Sequence, residues 1–197
     1  MRHKGTVRLE TGRLALRRFV PEDMESFYRH CLSDWQVWRW TSYPKMESLQ
    51  DVQEKGGLFT PPWFEAYAQP QRYSWAIAER SEGGLGGPAI GRVFGMHPDG
   101  RTEDIELAYE LGRAFWGRGY MTEAVAEVLR FFFEEVGFYR VHCYHAQGNP
   151  ASGRVMEKCG MRQEGVMRMA CVCNGGRYSQ VNYALLREEY EKERERR

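Results

Sequence analysis

The sequence predicts a mixed α/β fold, one sheet covered by helices, and three observations point to it. Three strand-like stretches follow one another between residues 73 and 111, the order of an antiparallel meander. An apolar period of 3.6 residues then runs from Met121 to Val136 and marks an amphipathic helix. A second helix signal, opening at Asn149-Pro150 and stopping at Gly160, lies between further strands. Helices set singly between more numerous strands are accommodated most economically on the faces of a mixed sheet.

Taken in order, Val7, Leu9, Leu14 and Leu16 alternate through residues 7–19 as a strand or short hairpin that exits at Pro21. Pro21-Glu22-Asp23 opens a helix, with proline early and acids where the helix dipole favours them. Residues 33–71 are aromatic and irregular. Trp35, Trp38, Trp40, Tyr43, Trp63, Phe64 and Tyr67 stand around Pro44, Pro61 and Pro62, with helical pieces at about 48–55 and 62–68. Strands at 73–79 and 89–96 form a hairpin around the glycine-rich turn 83–88, and His97-Pro98-Asp99-Gly100 is the next turn. Residues 105–111 (IELAYEL) complete the meander. The helix from Tyr120 presents Met121, Ala124, Val125, Val128, Leu129, Phe132 and Val136 on one face and is closed by Gly137. A strand at 139–145 precedes the helix at 149–160. Strands at 166–173 and 178–186 then flank the turn Asn174-Gly175-Gly176. The charged run 187–197 reads as a solvated helix end or a frayed tail.

A chain of 197 residues with 42% hydrophobic content can bury one substantial core, so a single domain over 1–197 is expected. Lys and Arg number 28 against 27 Asp and Glu, and the net charge of +1 gives no field to recruit nucleic acid or an anionic membrane. No apolar run approaches the roughly 18 residues of a membrane span. The expected partner is small or locally recognised. Cys31, Cys143, Cys159, Cys171 and Cys173 are odd in number and follow no apolar secretory segment, which fits reduced thiols in a cytoplasm. Cys171 and Cys173 have no second pair at zinc-site spacing, and a strand period of two puts both on one face, so no metal is expected.

The stretch with the clearest chemistry is Gly112 to Thr122, between the strand IELAYEL and the amphipathic helix. A glycine-rich turn there presents free backbone N–H groups at the positive end of the helix dipole, an arrangement suited to a phosphate or pyrophosphate. Gly117 and Gly119 allow tight turning and close approach, and Arg113 and Arg118 add charge. Taken alone, the two glycines also suit an ordinary turn. A dinucleotide fingerprint fails because Thr122 occupies the place of its third glycine, and a Walker loop fails because no Gly-Lys-Ser/Thr follows.

Residues Ala114 to Gly119 resemble the acetyl-coenzyme A pyrophosphate loop of the GNAT acetyltransferases (R/Q-x-x-G-x-G/A), with Ala114 in place of the usual Arg or Gln. Trp116 to Ala124 (WGRGYMTEA) is similar to the branch containing ribosomal-protein N-terminal acetyltransferases. A second match follows: Asn149-Pro150-Ala151-Ser152, Glu157-Lys158-Cys159-Gly160-Met161 and Glu164-Gly165 resemble the family's N-x-x-S…E-K-x-G-F…E-G signature. The resemblance runs from the opening R-L-x-L-R-x-F, Arg13 to Phe19, to Tyr183-Ala184-Leu185-Leu186.

The resemblance implies the GNAT fold: a central mixed, mostly antiparallel sheet flanked by helices, with two strands splayed at the cofactor site. It implies direct transfer of an acetyl group from acetyl-CoA to a primary amine, carried by a peptide N-terminus or a small molecule, in a monomer or homodimer. Backbone groups of Leu111, Gly112 and Arg113 would meet the pantetheine, and Trp116, Gly117, Arg118, Gly119, Tyr120, Met121 and Thr122 would form the pyrophosphate cradle. Asn149 matches a position that contacts the cofactor arm, and is equally suited to cap the helix at Pro150. Ser152 matches a hydroxyl near the sulfur, or is a first-turn serine facing solvent. The tyrosine that serves many GNAT enzymes as acid falls at Met156, which cannot donate a proton. Glu106 lies where histone-type members place a base, and is otherwise a strand-surface carboxylate; the ribosomal-type carboxylate falls near Cys171. Tyr144, His142, His145 and water are further candidates. Some residues of the aromatic segment from Trp35 to Tyr67 would wall the acceptor site; any single Trp there is otherwise a core residue tucked under loops. The same cradle without chemistry would make an acyl-CoA-binding sensor.

Overall fold

The computed structural model describes residues 1–81 and 86–196. Eight strands form one sheet: β1 (Leu9–Glu10), β2 (Leu14–Arg17), β3 (Tyr73–Glu79), β4 (Gly91–Asp99), β5 (Asp104–Leu111), β6 (Arg140–Ala146), β7 (Arg162–Cys173) and β8 (Gly176–Leu186). Their spatial order is β1-β2-β3-β4-β5-β6-β8-β7, and every neighbouring pair is antiparallel except β5 with β6. The antiparallel meander expected from residues 73–111 is present. Gly83, Gly84 and Leu85 of the expected turn lie outside the described residues.

Both faces of the sheet are covered at β2 and β3, which explains why β2 and nearly all of β3 are buried residue after residue instead of alternating. On one face Leu14, Leu16, Tyr73, Trp75 and Ile77 pack against α5 (Tyr120–Arg130) in the larger core, to which α6 (Pro150–Lys158) contributes Met156. On the other, Ala76 joins a second core, which Phe19 and Phe27 form together with Val52, Phe59 and their neighbours from the aromatic segment. The chain between β2 and β3 supplies α1 (Asp23–Phe27), α2 (Trp35–Trp38), α3 (Leu49–Glu54) and α4 (Pro61–Glu65). The charged end forms α7 (Arg187–Glu195).

The structure departs from the sequence reading in several places. The turn expected at His97-Pro98-Asp99-Gly100 comes later, because β4 runs on to Asp99 and the chain turns over residues 100–103. β7 begins at Arg162, four residues before its expected start, since pairing to Ala184 of β8 extends it. The short helix α2, stabilised by the Asp34 carboxylate accepting from the Gln36 N–H at 2.9 Å, carried too few residues to show a period. The long helix does not stay α throughout: α5 passes at Phe131 into a π-helical turn reaching Val136, closed by the Gly137 N–H on the Phe132 carbonyl at 2.9 Å. The wider turn re-phases the chain, and Phe131, Phe132 and Phe133 are all buried.

Candidate functional site

β5 and β6 part company early. Their parallel pairing spans only Asp104 with Arg140, Ile105 with Val141 and Glu106 with His142, while β6 goes on pairing with β8 as far as Ala146. β5 meanwhile stays with β4 to Leu111, so the sheet opens in a wedge between Leu107 and Leu111 on one side and Cys143 and Ala146 on the other. The Gly112 N–H donates to the Ile90 carbonyl at 2.9 Å on the β4 side. The strand period of two therefore turns the backbone groups of Leu111 and Tyr109 toward the wedge. Such groups need partners from outside the sheet. The Leu111 carbonyl has one, accepting from the Trp116 indole N–H at 2.7 Å.

The wedge is the floor of a cavity of about 730 Å³. At its mouth the turn after β5 leads into α5, with Gly117 at φ +75° and Gly119 at φ +78°. These left-handed conformations are open to glycine at little cost. No side chain caps the start of α5, so the N–H groups of its first turn remain available to an anion. Gly112 serves a different end, since a Cβ there would come within 2.8 Å of the His30 Cβ packed against it.

Most of the residues singled out from the sequence border this one cavity: Glu106, Leu111, Trp116, Gly117, Gly119, Tyr120, Met121, Thr122, Asn149 and Ser152. Three do not. Gly112 lies beneath it, and Arg113 turns away, its Nε donating to Asp34 Oδ2 at 2.9 Å beside His30 in a separate depression. Arg118 holds its guanidinium over the Phe115 ring, and its carbonyl accepts from Arg13 Nη1 at 2.9 Å. The Asn149 side chain makes no capping bond to α6, which leaves its amide free toward the cavity. Met156, where the resemblance puts the acid tyrosine, is wholly buried in the core.

Of the other proton-transfer candidates, Tyr144 borders the cavity, and burial, followed by the Glu106 carboxylate, raises its phenol. His145 donates through Nδ1 to the Ala146 carbonyl at 2.8 Å and packs against α6 at Gly153. His142 stays outside the cavity, on the side of Glu164. Cys143, Cys171 and Cys173 also border it. Burial pushes the thiols of Cys143 and Cys171 up, which suppresses the thiolate a covalent acyl-cysteine route needs. The aromatic segment divides. Residues 36, 37 and 39–43, with Trp40 and Tyr43, wall the cavity, whereas Trp63 and Phe64 pack against the second core.

Two features escaped the sequence reading. Glu110 and Arg92 form a buried ion pair at 2.8 Å, without an aligned hydrogen bond to the carboxylate, and Arg92 also donates to the Tyr43 hydroxyl. The alternation Glu106, Ala108, Glu110 along β5 was the available signal that two carboxylates share a face. The other is Tyr109, whose hydroxyl sits against Ser152 across the wedge. In sequence it looks like one more apolar core residue of the strand.

Residues 13–162 match the acetyltransferase (GNAT) domain, three quarters of the chain. The chain belongs to the GNAT acetyltransferases. The enzyme is 28% identical over 180 residues to "Uncharacterized N-acetyltransferase YoaA" of Bacillus subtilis, an alignment covering 91% of this chain and 96% of the relative. It is 27% identical over 184 residues to "Putative ribosomal N-acetyltransferase YdaF" of the same organism, covering 92% and 95%. Among solved structures, a GNAT-family acetyltransferase from Bacillus anthracis superposes with a TM-score of 0.74 at 21% identity, covering 92% of this chain and 99% of that one, which supports the fold. The acetyltransferase is thus a mixed sheet with its mostly antiparallel strands flanked by helices, as its family resemblance implied. Among the described residues no helix is long and apolar enough to cross a membrane.

Proposed function

We propose that this acetyltransferase moves an acetyl group from acetyl-CoA directly to a primary amine on a protein N-terminus or a small molecule, as a single-domain enzyme of the cytoplasm. The observation that carries the reading is the meeting, in one cavity, of an uncapped helix N-terminus behind a glycine cradle and a strand edge that has left its sheet neighbour. The cradle fits a pyrophosphate: a Cβ at Gly117 would meet nothing within 4 Å, so the loop's surface is open to a ligand, and its N–H groups are free. The wedge fits an extended arm that hydrogen-bonds the Leu111 edge of β5, with Asn149 across from it.

Acetyl-CoA would supply an activated carbonyl and a thiolate leaving group. The protein's tasks are to hold the donor, to place the amine beside it, and to manage protons. The cradle formed by Trp116, Gly117, Gly119, Tyr120, Met121 and Thr122 would hold the phosphates, and the N–H edge near Leu111 would face the carbonyl oxygen; Arg118 would add charge from outside, while Arg113 is paired with Asp34. Glu106, partly exposed on the cavity wall, is the group we assign to take the amine proton, directly or through water. Ser152, at the start of α6, is the hydroxyl we assign to the leaving sulfur. The likeness to a protein named as a ribosomal N-acetyltransferase favours a peptide N-terminus as acceptor.

The test is release of free thiol from acetyl-CoA in the presence of ribosomal-protein peptides and a panel of small amines. Acceptor-dependent release is the expected result. Release that never rises above the blank, with the coenzyme bound, would sink the reading.

A further inference from the structure

Tyr109 and Ser152 are joined by two hydrogen bonds whose directions chemistry dictates. A carbonyl cannot donate, so the Tyr109 hydroxyl donates to the Ser152 backbone oxygen at 2.9 Å. A phenol has one proton, so the second contact, at 3.0 Å, is Ser152 Oγ–H donating to the Tyr109 oxygen. The pair spans the wedge from β5 to the first turn of α6, and both residues border the cavity. The Ser152 hydroxyl is therefore held in one orientation, with its lone pairs unspent.

We propose that Tyr109 is a positioning residue for acetyl transfer: it orients the Ser152 hydroxyl and backs it with a second hydrogen bond while the thiolate departs. The inference rests on the acetyl-CoA reading given above. As the carbon–sulfur bond breaks, its electron pair passes to sulfur, and the Ser152 Oγ–H swings from the Tyr109 oxygen to the sulfur. The Tyr109 O–H then swings from the Ser152 carbonyl to the lone pair of Ser152 Oγ. No proton leaves either side chain. The thiolate is stabilised by a hydrogen bond whose donor is itself hydrogen-bonded, the proton lost by the amine goes to the base or to water, and the thiol takes its proton from solvent after release. Burial raises the Tyr109 phenol well above its ordinary value, consistent with a group that stays protonated throughout. With no acid at Met156, the arrangement supplies a hydrogen bond to the sulfur and no proton: the tyrosine comes from the strand and acts through a serine on the helix.

The test uses Tyr109→Phe, which keeps the ring and removes only the hydroxyl, with Ser152→Ala and the double variant. With acetyl-CoA and one fixed acceptor, kcat is expected to fall about three- to tenfold in Y109F, the loss of one hydrogen bond, with KM for acetyl-CoA within about twofold. The double variant should be no slower than S152A, because the two act as one unit. A second readout isolates the sulfur: the affinity of coenzyme A relative to desulfo-coenzyme A should fall in both single variants, while desulfo-coenzyme A binds as in the wild type. If Y109F keeps wild-type kcat and the wild-type affinity ratio, or if the losses in the double variant simply add, the positioning role is overturned and the pair is only a clamp between β5 and α6. A wild type that binds neither coenzyme A nor its desulfo form would instead overturn the acetyl-CoA reading, and this inference with it.

Discussion

Replacing Gly119 by aspartate separates the cost of distorting the cradle from the cost of charging it. Gly119 sits at φ +78°, and a Cβ there would meet only the Arg13 Nη2, at 3.5 Å. Space is therefore available, and the structural penalty is the left-handed backbone, roughly 1–2 kcal/mol for a residue with a Cβ and less for aspartate. In a chain of this size that lowers the melting temperature by a few degrees, at about 2–4 °C per kcal/mol. Gly119→Ala bears this penalty without a charge and is the control. The aspartate adds a carboxylate beside the proposed phosphate site. Two like charges at about 4 Å repel by ~4 kcal/mol at an effective dielectric constant of about 20. The loop is exposed, and screening there removes about half of this. Arg13 offsets little of the rest, because its Nε already donates to Glu123 Oε2 at 2.7 Å. The remaining ~2 kcal/mol weakens binding about thirtyfold. Calorimetric titration of coenzyme A into the three proteins, with melting curves alongside, measures both parts. An affinity for G119D within about twofold of G119A would refute the placement of the pyrophosphate on this turn.

Glu106→Gln is expected to lower kcat by about 10²-fold or more, measured by thiol release at saturating acceptor; an unchanged kcat would hand the role to water. Asp23→Ala should cost about 3–5 kcal/mol, measured by urea denaturation, because it removes the carboxylate from a buried guanidinium. Asp23 meets Arg17 at 2.6 and 2.8 Å and also accepts from the N–H groups of Val20 and Ala89. Burial holds the rings of His30 and His3 below the ordinary value of 6.5, so the unfolded chain takes protons that the folded one resists. Their stabilisation is present above pH 6.5 and is lost as pH falls from there through the lowered folded values. Melting temperatures should decline across that window, less steeply in His30→Gln, and equal slopes in the two proteins would refute the assignment.

What the sequence by itself determined here is whatever depends on neighbours along the chain. The helix of α5 was visible because its buried residues recur every 3.6 positions, and the cradle because Gly117 and Gly119 stand between a strand pattern and that helix. That side of the cavity is lined by this one continuous stretch together with Asn149 and Ser152, which is why it was legible. Tertiary structure decided what depends on partners far along the chain. The wedge exists because β6 pairs with β8 after leaving β5, and no local pattern encodes that choice. It decided that Arg113 spends its charge on Asp34, 79 residues away, and that Trp40 and Tyr43 face the cavity while Trp63 does not. It decided that α5 slips into a π turn to bury three phenylalanines in a row. Above all it joined Tyr109 to Ser152, 43 residues apart. Periodicity records which face a side chain occupies, but a hydrogen bond depends on which oxygen is brought within 3 Å of it, and that distance is fixed by the packing of a strand against a helix.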